Sequence, residues 1–292
     1  MIKRIPLLIV FLKLILFANI FAQDDFKGFI EKVTAQQIDG YSKPFITAFS
    51  SAINSGLYHT AETHKIGGFD LTIKGVGVII PDKDKIFTAY VPPGGNQEWS
   101  TIFGPKRDDN LPIENINPGG MDVKLVPMAV PQLSFGLGNN FEIMIRFLKF
   151  NLGDFGDISL YGIGLKHNIK KYLLNVPLFP DISIQTTYQM LKAGDIVDSK
   201  SFAINTHLSE NFLIFTIFSG LGYESTNVNL NYTVNDPGSE FNGNKVTYST
   251  NEKNNLRFVG GLRVKLGLLS LNSEINLGKY NSISAGIGIT FR

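Results

Sequence analysis

Apolar and polar residues alternate along most of the chain. Between residues 269 and 277 the odd positions are leucine, isoleucine or serine, and the even positions are serine, asparagine or glutamate. Residues 283–291 and 182–190 follow the same pattern with other residue types. A period of two is that of a β-strand, because neighbouring side chains of a strand point to opposite faces.

The length of these alternating segments indicates the kind of sheet. Soluble β-sandwiches also alternate, but their strands are typically five or six residues long. Here the alternation runs for about ten residues, which fits a tilted crossing of a membrane. Repeated segments of this length between turn residues are typical of transmembrane β-barrels. We therefore predict an all-β fold, an antiparallel transmembrane barrel.

The pattern predicts eleven strands. They cover residues 57–66, 68–80, 130–138, 140–149, 157–167, 181–191, 200–209, 212–224, 256–267, 268–277 and 282–292. Single-chain bacterial barrels have even strand counts. We therefore expect about twelve strands, within a range of ten to fourteen.

The residues before the barrel follow a different pattern. Phe26, Phe29 and Val33 fall at helical spacing, and Ala48 and Ile53 continue a weaker helical pattern beyond a proline. We predict one or two short helices in residues 23–55, ahead of a barrel in 56–292. Three interpretations remain open: a plug in the barrel mouth, a periplasmic cap, or ordinary packing helices.

The N-terminus predicts export. Lys3 and Arg4 precede an apolar stretch over 5–20, and Ala22 precedes a polar run. These are the three parts of a secretory signal peptide, so we expect residues 1–22 to be removed after Ala22. The alternative is an uncleaved anchor, which Lys13 in the middle of the stretch disfavours.

Composition narrows the remaining classes. The chain has no cysteine, which excludes disulfides, thiolate metal sites and lipid attachment at an N-terminal cysteine. After residue 22 no apolar run reaches the ~18 residues of a spanning helix. The net charge of +2 gives no indication of a nucleic-acid partner, while 29 glycines, 23 phenylalanines and 18% charged residues suit many strands.

The connections predict an orientation. If the C-terminus is periplasmic, the joints at 267–268, 208–211 and 138–140 are tight and periplasmic. The longer connections at 82–129, 192–199 and 233–255 are then external. Short periplasmic turns and long external loops are the known asymmetry of these barrels. The longer periplasmic connection at 168–180 is an exception.

Several stretches resemble known proteins. Residues 130–137 (VPQLSFGL), 162–172 (GIGLKHNIKKY) and 220–225 (GLGYES) are similar to an uncharacterised family of exported Bacteroidota proteins. That resemblance implies an outer-membrane barrel, and the family has no established activity that could be carried over to this chain. The layout is more distantly similar to long-chain fatty-acid transporter barrels, which have an N-terminal plug. The last strand resembles the signal that barrel-assembly machinery recognises, although Phe291 is penultimate here.

Charged side chains predicted to face the lumen are the candidate functional residues. They are Asp70, Lys74, Glu142, Arg146, His207, Arg263, Lys265 and Glu274.

The turn at 267–268 predicts the register of some of these residues. It places Lys265 opposite Ser270 and Arg263 opposite Asn272, with Glu274 one diagonal step away. Gly286 and Gly288 point inward on the next strand and leave room. These charges either tune which solutes pass, or form a salt-bridged interior that fills the barrel.

Catalysis and metal binding have weaker support. His207 and Ser209 share one face of a strand, but i and i+2 positions lie roughly 6.6 Å apart, too far for a direct hydrogen bond. The acidic loop residues match no compact calcium loop: Asp195, Asp198, Asp236 and Glu240. We expect no enzyme activity, no metal and no cofactor.

Three functions remain, in this order of preference. The first is a channel or transporter for small or apolar solutes, plugged by residues 24–55. The second is a non-conducting barrel whose loops serve adhesion or a structural role. The third is a barrel lipid hydrolase. In each case the expected location is the outer membrane, with outer-membrane lipid and the barrel-assembly machinery as partners.

Overall fold

The computed structural model describes residues 35–91, 94–107, 117, 119–151, 157–173, 179–233 and 245–291. The expected signal peptide with its cleavage after Ala22, the helical spacing from Phe26 to Val33 and the tip of the 233–255 connection lie outside these residues. Among the described residues, no helix combines the length and apolar character needed to cross a membrane.

The secondary structure begins with a helix and continues as strands. The helices are α1 (Ala35–Ile53) and the short α2 (Lys170–Leu173), with a 3₁₀ turn at Asp82–Asp84. The strands are β1 (Phe69–Ile79), β2 (Ile86–Val91), β3 (Gly95–Ser100), β4 (Leu125–Gly138), β5 (Phe141–Asn151), β6 (Asp157–Asn168), β7 (Asp181–Ala193), β8 (Val197–Phe212), β9 (Phe215–Thr233), β10 (Lys245–Leu266), β11 (Leu269–Leu277) and β12 (Ser282–Phe291).

Ten of these strands form a closed antiparallel barrel, which confirms the predicted fold class. Each barrel strand pairs with its neighbours in sequence, and β1 closes the ring by pairing with both β12 and β4. β2 and β3 form a separate hairpin outside the ring. The barrel count of ten is therefore at the lower end of the expected range and below the central estimate of twelve.

The predicted strand at 57–66 is wrong. All side chains from Leu57 to Ala61 are buried, at odd and even positions alike, whereas a strand of the wall would bury only one of the two sets. The segment lies inside the barrel, where protein surrounds it on every side, so its residues are enclosed without being part of the sheet. An apolar residue therefore indicates burial here but not a strand.

Two predicted connections also differ from the structure. The turn expected at 208–211 lies at 213–214, because β8 continues to Phe212, which pairs with Phe215. The long external loop expected at 192–199 is a tight connection, because the β7–β8 pairing extends as far as Ala193 and Val197. In both places, polar residues that are common in turns occupy paired positions of a strand. The sequence pattern therefore predicted a connection where the strand continues.

The outer face of the barrel is apolar. On β10, exposed apolar residues run from Leu256 to Leu266. That stretch measures about 33 Å along the strand, and a tilt of roughly 40° gives a band about 25 Å tall. On β9 the outward positions above this band are polar, for example Asn227 and Asn229. The band therefore has the height of the apolar girdle of a membrane barrel.

The two ends of the barrel differ. Tight turns at 139–140, 213–214 and 267–268 lie at one end, called the turn end below, together with Phe291. The end of β1, the β2–β3 hairpin, the end of β9 and the start of β10 lie at the opposite end, called the loop end.

The barrel interior has two layers. Toward the loop end, α1 packs its apolar residues against inward side chains of the wall. This apolar layer includes Phe45, Ile46, Ala52, Ile53, Val78, Val130, Leu160, Leu191 and Val228. The β2–β3 hairpin covers it: a Cβ on Gly40 of α1 would overlap the ring of Phe87 on β2. The other half of the interior, toward the turn end, is mostly polar. It also contains a small apolar cluster of Leu57, Tyr58, Met144, Ala203, Phe218 and Val259.

Candidate functional site in the polar half of the barrel interior

The chain crosses the lumen once before the first barrel strand begins. At the loop end, Gln37 on α1 donates to the carbonyl of Tyr90 at 3.0 Å, and Tyr248 on β10 bonds to Asp39. From the end of α1 the chain continues through residues 54–65, called the lumenal segment below. It emerges at the turn end, where Ile66 is 73% exposed, and Gly67 at a φ of 77° helps to redirect it into β1.

Two arginines of the wall bind the C-terminal end of α1. Arg146 on β5 donates to the carbonyls of Ile53 at 2.8 Å and Ser55 at 2.9 Å. Arg257 on β10 donates to the carbonyl of Asn54. The last carbonyls of a helix have no partner within the helix and carry partial negative charge. Cationic donors at this place therefore satisfy them and favour the position of the helix.

The turn that follows α1 is fixed by further wall residues. Gly56 has a φ of 70°, the left-handed conformation common just after a helix, and its N–H donates to Glu274 at 2.7 Å. The hydroxyls of Ser55 and Ser282 are 2.8 Å apart, and Asn54 donates to Ser201 at 2.9 Å. These contacts come from β11, β12 and β8, so the wall holds this turn from several sides.

Hydrogen bonds to the wall continue toward the turn end. The N–H of Ala61 donates to the hydroxyl of Ser209 at 2.9 Å, and its carbonyl accepts a bond from Ser183. Lys166 on β6 donates to the carbonyl of Glu62 at 2.8 Å. Side chains of the sheet thus replace the backbone partners that a strand would have had.

His59 of the lumenal segment lies in a charged cluster. Its Nε2 is 3.3 Å from the Asp70 carboxylate and its Nδ1 is 3.3 Å from the Lys74 ammonium. An ammonium only donates, so Nδ1 accepts and Nε2 carries the hydrogen that Asp70 accepts. Arg263 completes the cluster, 3.4 Å from Asp70.

His64 forms a second cluster nearer the turn end. Its Nδ1 is 2.7 Å from Glu142, its backbone N–H donates to the same carboxylate at 3.1 Å, and its Nε2 is 3.2 Å from the hydroxyl of Thr290. Lys166 lies 2.8 Å from the other oxygen of Glu142. One wall carboxylate therefore binds both a histidine of the lumenal segment and a lysine of the wall.

The structure brings seven of the eight candidate residues together inside the barrel. Asp70, Lys74, Glu142, Arg146, His207, Arg263 and Glu274 are all buried and inward-facing.

Lys265 is the exception. It is exposed beside the turn at Gly267 and belongs to neither cluster. It shares the inward parity of Arg263, but it lies at the rim, beyond the enclosed part of the lumen.

The predicted register around that turn is confirmed. Lys265 pairs with Ser270 and Arg263 with Asn272, as the two-residue connection required. Gly286 also leaves room as predicted: a Cβ there would lie 2.7 Å from Asn272 and 2.9 Å from Lys74.

The candidates from sequence did not include the histidines of the lumenal segment or two wall cations, Lys166 and Arg257. Lys166 shares the parity of Gly162 and Gly164 on β6, so the alternation was sufficient to predict that it faces inward. Arg257 follows an irregularity in the β9–β10 pairing between Asn254 and Arg257, where the alternation changes phase. No pattern in the sequence shows that a connecting segment runs through the lumen.

His207 and Ser209 both contact the lumenal segment. The His207 ring stacks on Tyr58 with centroids 4.0 Å apart and planes at 7°. The Ser209 hydroxyl accepts from the Ala61 N–H and is 3.3 Å from the hydroxyl of Thr60. His207 therefore contacts the lumenal segment by stacking and Ser209 contacts it by hydrogen bonds.

Little empty space remains around these clusters. A cavity of about 10 Å³ lies between His59, His64, Asp70, Glu142 and neighbouring residues. This is room for about one water molecule. Among the described residues, no group of three or more histidines and carboxylates is placed to hold a metal ion.

Comparison with solved structures finds similarities at low sequence identity and low TM-score. The chain is similar to the outer membrane protease OmpT from Escherichia coli, at 11% identity and a TM-score of 0.38, covering 80% of this chain and 100% of that one. It is also similar to the translocator domain of autotransporter NalP from Neisseria meningitidis, at 10% identity and a TM-score of 0.34, covering 88% and 98%. At TM-scores below 0.5, these similarities support no conclusion about the function of this chain.

Sequence comparison adds a family. A family model described as a family of unknown function (DUF6588) matches residues 1–291. No curated protein sequence matches the chain.

Proposed function

Since the chain belongs to the family of unknown function DUF6588, which supplies no activity, we propose from its own structure that it is an outer-membrane β-barrel closed by residues 35–68. In this proposal the protein conducts no solute in its folded state and acts as a non-conducting barrel that offers its loop end for contact. The plugged channel or transporter, which was the first expectation from sequence, becomes the second candidate.

The apolar band supports a membrane location. Large apolar side chains such as Ile217, Leu221 and Leu262 are half exposed on the outer face of the barrel. Soluble monomers rarely expose a continuous apolar surface of this extent, whereas lipid acyl chains match it. Export through a cleaved signal and assembly through the C-terminal strand are the corresponding expectations for how the chain reaches that membrane.

The observation that carries closure is the bonding of Arg146 and Arg257 to the end of α1. Both guanidinium groups are buried, and they bind the carbonyls of three consecutive residues, Ile53 to Ser55. Removing α1 would leave buried cations and polar groups without partners, which is costly in a low-dielectric interior. The helix and the lumenal segment are therefore integral parts of the barrel.

A second candidate function is a transporter whose plug moves. The polar layer favours it, because its contacts to the lumenal segment are hydrogen bonds and ion pairs, which water replaces more readily than it replaces apolar packing. The solute would be small or apolar, as expected from sequence. In that case the folded state described here is the resting state.

Single-channel conductance of the refolded chain in a planar bilayer tests the proposal. A closed barrel gives no discrete steps, although its heat-dependent gel migration shows that it has folded. Steady steps from the unmodified chain would contradict closure. Steps that appear only when a solute is added would favour the transporter over the non-conducting barrel.

A matched pair of variants shows whether the N-terminal part is responsible. In the double variant Arg146→Gln and Arg257→Gln, the end of α1 loses its cationic donors, so we expect conductance steps or a less stable baseline. Lys265→Gln removes an exposed charge at the rim and is the control that stays silent. A silent double variant that still folds would show that other contacts suffice to close the lumen.

A further inference from the structure

The turn between β8 and β9 places large apolar side chains at the turn end. This turn consists of Phe212, Leu213, Ile214 and Phe215, and the side chain of Leu213 is fully exposed to solvent. Leu266 and Leu268 of the adjacent β10–β11 turn are more than half exposed. These six residues are called the apolar tip below.

Turn geometry does not account for this choice of residues. Leu213 has a φ of 54°, a conformation that favours glycine or asparagine over leucine. Asn139, in the β4–β5 turn at the same end of the barrel, has nearly the same φ of 48° and is also exposed. The same backbone position therefore carries the favoured polar residue in one turn and a leucine in the other.

The apolar tip is continuous with the outer band. Phe215 and Ile217 are consecutive outward positions of β9, so apolar surface runs from the band onto the turn along this strand. On β8, Glu210 lies between the outward residues Leu208 and Phe212. The neighbouring turn continues that surface toward Ile289 and Phe291, both exposed on β12. The surface that fits lipid acyl chains thus extends past the end of the strands on this side.

The backbone of the two turns also suits an environment poor in water. The carbonyl of Ile214 accepts from the N–H of Lys265 at 2.8 Å, and the carbonyl of Leu268 accepts from the N–H of Thr290 at 2.8 Å. Within lipid, backbone polar groups need partners in the protein. Lys265 beside the tip has a long flexible stem, which lets its ammonium reach the headgroups while apolar neighbours lie deeper.

We propose that the apolar tip is inserted into the membrane leaflet at the turn end, so that the β8–β11 side of the barrel is anchored more deeply than the β4–β5 side. The proposal rests on the membrane location given under the proposed function. The occupant of this surface is lipid, at the boundary of headgroups and acyl chains.

Single-cysteine labelling tests this in a chain that has no native cysteine. An environment-sensitive fluorophore is attached to Leu213→Cys, to Asn139→Cys and to Leu221→Cys on the outer band, each refolded into phosphatidylcholine vesicles. A fraction of the lipids carries a quencher near the top of the acyl chain, and iodide is added separately as a water-soluble quencher. Ile214→Cys is a second position on the tip, and folding of each variant is checked by heat-dependent gel migration.

The expected result is that labels at 213, 214 and 221 lose fluorescence with the lipid quencher, while the label at 139 loses it only with iodide. If 221 responds to the lipid quencher but 213 and 214 respond like 139, the tip lies in water and the inference fails by itself. If 221 does not respond either, the membrane location fails first. If 213 and 214 are shielded from both quenchers, protein covers the tip, which overturns lipid as its occupant.

Discussion

The two halves of the barrel interior are built differently around one continuous stretch of chain. Toward the loop end, α1 is held by apolar packing around residues such as Ile46 and Val78, as in the core of a soluble domain. Toward the turn end, the lumenal segment is held by charged and polar groups such as Arg146, Glu142 and Asp70. One barrel thus encloses an apolar core and a polar one, stacked along its axis.

The difference shows how the same wall specifies two parts of the segment. The apolar layer depends on volume and shape, because dispersion and the hydrophobic effect are non-directional. The polar layer depends on directional hydrogen bonds and ion pairs between the wall and the segment, because losing the partner of a buried polar group is costly. We therefore expect the apolar layer to tolerate changes that conserve volume, and the polar layer to tolerate few substitutions.

The largest effect is expected in the polar layer, from Arg146→Ala. The substitution leaves the carbonyls of Ile53 and Ser55 and the amide oxygen of Gln132 without their charged donor. Breaking a buried charged network of this kind costs about 3–5 kcal/mol of unfolding free energy. Denaturant titration of the vesicle-inserted protein measures this free energy. Lys265→Ala at the exposed rim is the control, and its unfolding free energy should stay within about 0.5 kcal/mol of that of the unmodified chain. Equal unfolding free energies for the two variants would contradict a stabilising role for the Arg146 contacts of the polar layer.

A somewhat smaller loss is expected in the apolar layer from Ile46→Ala. Ile46 is buried in the packing between α1 and the wall, and a large-to-small change there costs about 2–4 kcal/mol through lost burial and a residual cavity. Ile46→Leu conserves volume and should cost less than about 1.5 kcal/mol. The same titration measures both variants. A similar loss from Ile46→Leu and Ile46→Ala would show that this layer, too, depends on an individual fit.

Acidification should weaken the polar layer through His59. In the folded chain the Nδ1 of His59 accepts from the Lys74 ammonium 3.3 Å away, so a proton on this nitrogen would place two cations in contact inside the barrel. The unfolded chain binds the proton without this cost, so stability falls as the pH is lowered through the range near 6.5 in which a free histidine titrates.

The charged groups around His59 set the control for this prediction. Asp70 and Lys74 on β1 lie 3.3 Å from its two ring nitrogens, and Arg263 on β10 lies 3.4 Å from Asp70. His59→Gln keeps a donor and an acceptor but does not titrate in this range. Stability measured from pH 8 to pH 5 should therefore fall more steeply in the unmodified chain. Parallel curves would assign the pH dependence to other groups.

The smallest change in unfolding free energy is expected from adding one methyl group to a glycine of the wall, and it should differ between the inner and the outer face. Gly286→Ala places a Cβ 2.7 Å from Asn272 and 2.9 Å from Lys74, so these side chains must shift, at a cost of about 1–2 kcal/mol. Gly260→Ala on the outer face meets nothing within 4 Å and should be close to neutral. Unfolding of both variants under the same conditions measures the difference. A loss for Gly260→Ala as large as that for Gly286→Ala would indicate an effect on the strand itself.

Much of the wall follows from sequence because a barrel repeats one physical rule. Alternation assigns the faces of β7, β11 and β12, and the two-residue turn at 267–268 fixes the pairing of Arg263 with Asn272. Seven of the eight candidate side chains accordingly lie inside. Lys265 differs because parity gives the direction of a side chain but not its depth along the barrel.

The contents of the lumen do not follow from sequence in the same way. Leu57 to Ala61 are buried whatever their parity, because the wall encloses the lumenal segment on all sides. His59 and His64 have no periodic signal, and their partners Asp70 and Glu142 lie on different strands of the wall. Such contacts depend on the path of the chain through three dimensions, which local patterns do not contain.

The measurement that most directly tests the central claim is a cross-link between the lumenal segment and the wall. The hydroxyls of Ser55 and Ser282 are 2.8 Å apart, and the chain has no other cysteines to interfere with Ser55→Cys/Ser282→Cys. After mild oxidation of the vesicle-inserted protein, mass spectrometry should find residues 55 and 282 in one disulfide-linked peptide. The control Ser55→Cys/Ser225→Cys, with Ser225 on the outer face, should remain unlinked. A folded barrel in which 55 and 282 do not cross-link would contradict a lumen closed by residues 35–68.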